Sequence, residues 1–232
     1  MKNLAIIPAR SGSKGLVDKN IKMLDGKPLL AYTISAAKES KLFDKIMVST
    51  DSEKYADIAK ENGAEVPFLR TKELSGDKAG SWDVVKAVLE EYKNRGEVFE
   101  TVCLLQPTSP LRTHMDIIES YSVLKERMAD SVTAVCECDH SPLWAMNLDE
   151  SLSMREFRKK FTEAPRQALD KYYRINGAIY IKTIIYEENT IILRDSEEYA
   201  YIMDAERSVD IDTQFDFTIA EAIIKNKKNG GQ

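Results

Sequence analysis

Four short runs rich in apolar residues, Leu4 to Ile7, Lys45 to Thr50, Thr101 to Leu105 and Ser131 to Cys136, recur through the first 140 residues, and the stretches between them carry apolar residues at helical spacing. Runs this short and this rich in Ile, Val and Leu read as strands buried on both faces of a sheet. The intervening segments read as helices from Pro28 to about Lys38, from Asp51-Ser52-Glu53 through Asn62, from Ser81 to Lys93 and from His114 to Met128. Asp25-Gly26 marks a turn, Gly63 stops a helix, and a short strand is predicted near Val66 to Leu69, ahead of a polar loop from Arg70 to Gly80. Such alternation gives an α/β fold with a mostly parallel sheet.

With 232 residues the chain is read as a single domain, 1–232, able to bury a substantial core. From about Cys138 to Arg174 the alternation stops and the sequence turns polar, with scattered apolar residues such as Trp144 and Phe157. So long an irregular stretch is either a surface meander or an arm that packs on a second subunit. Strands resume at Asn176 to Ile181 and Tyr199 to Met203, a helix runs from Phe215 to Lys225, and the tail Asn226 to Gln232 is expected to be disordered. A net charge of −5 offers no general basic face for nucleic acid, so any anion site must be local. Cys103, Cys136 and Cys138 lack disulfide or zinc spacing, and the CxC pair reads as part of a strand. No apolar run reaches about 18 residues and no leader is apparent, so a soluble cytoplasmic protein is expected.

The polar segments with chemistry in them all follow strand ends: ARSGSKG the first, STD the second, LQPTSPLR the third and SVDIDT the last. In an open parallel sheet those ends share one crevice. Gly12 and Gly15 let the first loop turn close to a ligand, while Arg10, Lys14 and Lys19 supply charge, which makes an anion cradle. It is neither a Walker loop nor a GxGxxG turn. Asp210 and Asp212 alternate along an extended segment and so face one way, which suits Mg²⁺ or, for Asp212, a helix cap near Thr213. Gln106, Thr108, Ser109 and Arg112, in a loop stiffened by Pro107 and Pro110, suit a polyhydroxylated substrate or a rigid turn that caps the next helix through Thr113. Arg166 and Arg174 bracket the return to the sheet, as anion forks or as partners in surface salt bridges.

Taken together, IPARSGSKG, DKN, STD, EVPFLR, LLQPTSPLR, PRQ, RINGAIYI and SVDIDT resemble, in order and spacing, the CMP-acylneuraminate synthetases, over nearly the whole chain. The resemblance implies a Rossmann-like nucleotidyltransferase core, three-layer α/β/α, with a dimerisation excursion at 138–174 and a homodimer. It implies CTP and a nine-carbon 2-keto sugar acid as reactants and Mg²⁺ as cofactor, giving the CMP-sugar and pyrophosphate. Arg10, Ser13, Lys19, Asn20, Arg70, Ala79 and Ser81 fall on its nucleotide positions, with Arg10, Lys19 and Asp212 as the catalytic set. Gln106, Arg166, Arg174, Asn176 and Tyr180 fall at the sugar end, where the hydroxyls of Thr108 and Ser109 in the same loop as Gln106 are also taken as substrate-binding, and Asp210 and Asp212 fall on the metal pair. Trp144 stands where the sialic acid enzymes carry a Lys, a departure shared with legionaminate and pseudaminate enzymes; Lys78 and Gly80 replace small residues. The alternative of another class is a non-catalytic nucleotide-binding module of the same fold.

Overall fold

The computed structural model describes residues 1–12, 15–76, 79–160, 169–188 and 190–230. β1 (Asn3–Pro8) leads, through a loop and a single 3₁₀ turn, to a small hairpin, β2 (Met23–Leu24) with β3 (Lys27–Pro28). Asp25 and Gly26 between them both adopt positive φ, 45° and 83°, as a two-residue turn between twisted strands requires. α1 (Leu29–Ser40), β4 (Lys45–Ser49), α2 (Glu53–Glu61), a short α3 (Lys72–Ser75), α4 (Ser81–Asn94), β5 (Thr101–Leu104), α5 (His114–Glu126) and β6 (Ser131–Glu137) follow the predicted alternation. Beyond the irregular segment, which contains α6 (Arg155–Lys160), come β7 (Tyr173–Tyr186), β8 (Ile191–Leu193), β9 (Glu198–Ile202) and α7 (Gln214–Lys228).

The main sheet has the order β4-β1-β5-β7-β6-β9, with β8 paired to the far half of β7. β1 is parallel to both β4 and β5, and β6 to β9, while β7 runs antiparallel between β5 and β6. Side chains alternate across β1 and so bind two helical layers. Ala5 and Ile7 join Leu30, Ile34 and Ile117 on the face covered by α1, α2 and α5. Leu4 and Ile6 join Val84, Val88 and Leu89 on the face covered by α4. All four of these β1 side chains are fully buried, which is why the strand reads as a continuous apolar run. A third cluster, Leu24, Leu29, Ile211 and Phe217, fastens the hairpin and α7 to the end of the sheet.

Three expectations are corrected. Residues 66–69 form no strand: one isolated bridge, Met47 to Glu65, precedes Pro67, whose missing N–H cannot extend a ladder, and Phe68 turns in against the α4 layer. The loop predicted from Arg70 to Gly80 contains α3. The tail is helical through Lys228, where Lys225 pairs with Glu221 at 3.0 Å and Lys228 with Asp25. No helix among the described residues is long and apolar enough to cross a membrane.

Candidate active site

The loops that leave β1, β5 and β9, with the segment that follows β4 and α2, line one cleft of about 690 Å³ at the carboxyl ends of the strands. Its first wall is the loop after β1. Asp51, just past β4, accepts the Ser11 N–H at 2.7 Å and the Ser11 hydroxyl at 2.8 Å. Asn20, buried, donates to the Arg10 carbonyl at 3.1 Å, so the loop is pinned at both ends of its turn. Arg10 reaches across to the Ser75 carbonyl at 3.1 Å.

Lys19 closes the cleft toward the far end of the chain. Its ammonium donates to the Ile211 carbonyl at 2.7 Å and to Asp212 Oδ1 at 2.9 Å. Gly15 lies so near that a Cβ there would stand 2.9 Å from the Asp212 carbonyl oxygen. The acidic segment is held in turn by the loop after β5: Ile211 N–H donates to the Thr108 carbonyl at 2.8 Å, and the Thr108 side chain bonds Asp210.

The two carboxylates differ in surroundings. Burial pushes the Asp210 acid up from the ordinary carboxylate range, opposed by the Thr108 bond and by the charges of Lys19 and Arg174, while Asp212 pushes the same way as burial. Among the described residues the Asp210 Oδ1 is buried with no partner, whereas the Asp212 side chain is 76% exposed. Asp212 does not cap α7; Thr213 does, in a reciprocal pair with Asp216. Two hard anionic donors side by side, one with an unsatisfied oxygen, fit Mg²⁺, which is held by one or two carboxylates together with substrate oxygens.

Opposite these acids stands Arg70, whose Nε and Nη2 donate to Ser49 Oγ and Ser49 O at 3.2 and 2.8 Å. Burial lowers its guanidinium to about 10, with Asp51 opposing that shift and Arg10 adding to it. Ala79 and Ser81 line the same end of the cleft, although the Ala79 N–H is taken by the Gly76 carbonyl at 3.2 Å. Gln106 lies on the floor beside Gly177. Tyr180 stands edge-on to Trp82, ring centroids 6.2 Å apart, its hydroxyl raised by burial and by Asp210.

Sequence-predicted residues that the structure brings together are therefore Arg10, Lys19, Asn20, Arg70, Ala79, Ser81, Gln106, Thr108, Asp210 and Asp212. Arg174 is exposed at the start of β7 and is close enough for its charge to act on Asp210. Ser13, Arg166 and Lys78 lie outside the described residues. Ser109 and Asn176 are buried, 0% and 1% exposed, and like Tyr180 they do not line the cleft. Asn176 donates to Ser208 Oγ at 2.9 Å and accepts from the Ala178 N–H at 3.1 Å, and so braces the segment ahead of Asp210. Arg112, in the loop read either as a substrate holder or as a rigid turn, is likewise buried. STD was placed at the crevice, but no role was given to Asp51 within it; the carboxylate reaches sideways to Ser11, and Ser52 is the N-cap of α2.

Residues 4–223 match the sequence family described as Cytidylyltransferase. The chain is 41% identical over 231 residues to the N-acylneuraminate cytidylyltransferase of Escherichia coli O18:K1:H7 (strain RS218 / NMEC), covering 98% of this chain and 53% of that protein. It thus spans about half the length of that relative. It is 35% identical over 234 residues to the CMP-N,N'-diacetyllegionaminic acid synthase of Legionella pneumophila subsp. pneumophila (strain Philadelphia 1 / ATCC 33152 / DSM 7513), covering 97% of each. Among solved structures, a CMP:2-keto-3-deoxy-manno-octonic acid synthetase complexed with CTP superposes with a TM-score of 0.69 at 14% identity, over 98% of this chain and 100% of that one, a likeness of fold.

Proposed function

This chain belongs to the cytidylyltransferase family, and on that premise we propose that it joins the CMP part of CTP to a nine-carbon 2-keto sugar acid, releasing pyrophosphate. The acceptor is N-acetylneuraminate or a related nonulosonate, with legionaminate and pseudaminate as the alternatives that Trp144 supports. The observation that carries the reading is the Lys19–Asp212 contact of 2.9 Å, which sets the anion cradle and the paired carboxylates on one cleft.

In this reading the 2-hydroxyl of the sugar attacks the α-phosphorus in line, and the bond to the departing pyrophosphate breaks. Chemistry of this kind asks the protein for positioning and for charge to offset the phosphates. Arg10 and Lys19 supply positive charge along the triphosphate. Arg70, oriented by Ser49, offers a donor to the O2 and N3 acceptors of cytosine. Gln106, Arg166, Arg174 and Tyr180 hold the acid sugar. Asp210 and Asp212 would hold Mg²⁺, which when bound neutralises phosphate charge and acidifies a coordinated hydroxyl.

We also propose that 1–232 acts as one domain, that it pairs as a homodimer through the 138–174 excursion, and that it works in the cytoplasm. Leu148, Leu152 and Met154 in the excursion are exposed at 54%, 69% and 41%, which supports an apolar partner there. The test is pyrophosphate release from CTP and Mg²⁺ with N-acetylneuraminate, legionaminate and pseudaminate side by side. Turnover with one of the three is expected, and CTP binding without turnover on any acid sugar would favour the non-catalytic module instead.

A further inference from the structure

Arg112 ends the loop that carries Gln106 and Thr108, and it is 3% exposed. A guanidinium so buried is costly unless an acid compensates it. No such ion pair forms among the described residues. Asp116, whose charge acts on Arg112, spends its oxygens on Thr113, Tyr201 and Arg207. Arg112 instead donates Nη1 to two backbone carbonyls, Gln106 O at 3.2 Å and Ala178 O at 2.7 Å, and its Nε and Nη2 are buried with no acceptor among the described residues. Burial lowers its guanidinium to about 10.

The two carbonyls belong to the segments that meet on the cleft floor. Between Thr133 and Val135 of β6, the partner strand β7 advances from Tyr180 to Ile175, so β7 bulges there. Within the bulge Gly177 has φ +77°, and a Cβ on it would stand 2.6 Å from Gln106 Oε1 and 3.5 Å from Asp210 Oδ2. The bulge thus sits between the amide and the carboxylate that face the substrates, and it is held by Arg112 through Ala178 and by Asn176 through the Ala178 N–H. Bulges beside sites commonly re-aim side chains in this way.

We propose that Arg112 is a positioning residue, whose guanidinium fastens the Gln106 loop to the β7 bulge and so fixes the separation of Gln106 and Asp210. The inference rests on the cytidylyltransferase reading given above. It is tested with Arg112→Met, which keeps length but removes the donors and the charge, and with Arg112→Lys, which keeps one donor group. Each is compared with the unaltered chain for thermal unfolding, for CTP affinity by calorimetry, and for kcat with the active sugar. With its floor loosened the site should lose about 30-fold or more in kcat, because small misplacements of positioning groups are costly. Arg112→Met should bind CTP within about threefold of the parent and unfold within about 3 °C of it, since removal of a poorly compensated buried cation offsets the donors withdrawn from Gln106 O and Ala178 O. Arg112→Lys should recover part of the rate. A kcat within about threefold of the parent, or a loss of CTP affinity and fold that matches the loss of kcat, overturns the proposal. Should Arg112→Met not fold, Arg112→Lys is read by the same criteria. A parent chain without turnover would sink both the functional reading and this inference, whereas a fully active Arg112→Met variant sinks this inference alone.

Discussion

Asp51 grips Ser11 by two bonds, accepting its backbone N–H at 2.7 Å and its hydroxyl at 2.8 Å, across 40 positions of sequence. Burial alone would raise the Asp51 acid, but the two Ser11 donors, its own backbone N–H and the charge of Arg70 bring it below the usual carboxylate value. The stabilisation is therefore complete above the unfolded value of about 3.9 and is lost as pH falls through the lower folded value.

From this follows the behaviour of Asp51→Asn. An amide can accept from the Ser11 N–H and donate to the Ser11 hydroxyl, but without the charge both bonds weaken, so the variant should be about 1 kcal/mol less stable at pH 7, after discounting for partial exposure. Denaturant unfolding at pH 7, pH 4 and pH 3 should show that difference shrinking as acid protonates the parent. A difference constant across that range would mean the carboxylate charge contributes nothing to holding the loop.

Gly12 and Gly15 should fail in different ways when changed to Ala. Gly12 has φ +72° with open space around its absent Cβ, whereas Gly15 abuts the Asp212 carbonyl at 2.9 Å. Gly12→Ala should cost stability, about 1 kcal/mol for a side chain in left-handed backbone, with CTP affinity little altered. Gly15→Ala must push the loop off the acidic segment against backbone that cannot swing aside, so CTP affinity should fall about tenfold together with stability. Equal effects of the two changes on both quantities would separate the loop from the nucleotide.

Ile175 and Ile202 flank Val135 in register on neighbouring strands, exposed at 62% and 58%. An apolar ladder of this kind beside the excursion supports the proposed subunit contact. Sedimentation at micromolar concentration should give twice the chain mass for the parent and a single chain mass for the doubly changed Ile175→Lys, Ile202→Lys protein. An unchanged mass in the variant would place the dimer contact, if any, elsewhere.

The α/β alternation was legible because each apolar run is short, is bounded by turn residues and is buried on both faces, as β1 is through Leu4 to Ile7. The convergence of the first and last motifs was legible too, because strand direction alone sends those loops to one edge of the sheet. What stayed hidden depends on non-local register. Asn176, placed at the sugar end by the resemblance alone, is buried beside the β7 bulge, a break in strand alternation that the sequence does not mark. β8 escaped because no Gly or Pro stands between Tyr186 and Ile191 to separate it from β7 in the sequence. Arg112 is indistinguishable in sequence from a surface arginine, since only the folded loop shows that its guanidinium points inward.

The central claim is that acids near the end of this chain and cations near its start serve one nucleotide, and the sharpest measurement is kcat for Asp212→Ala at saturating Mg²⁺ and CTP. The account predicts a loss of about 100-fold or more in kcat, with CTP affinity falling only modestly because Arg10, Lys19 and Arg70 remain. Turnover close to that of the parent under those conditions would contradict it.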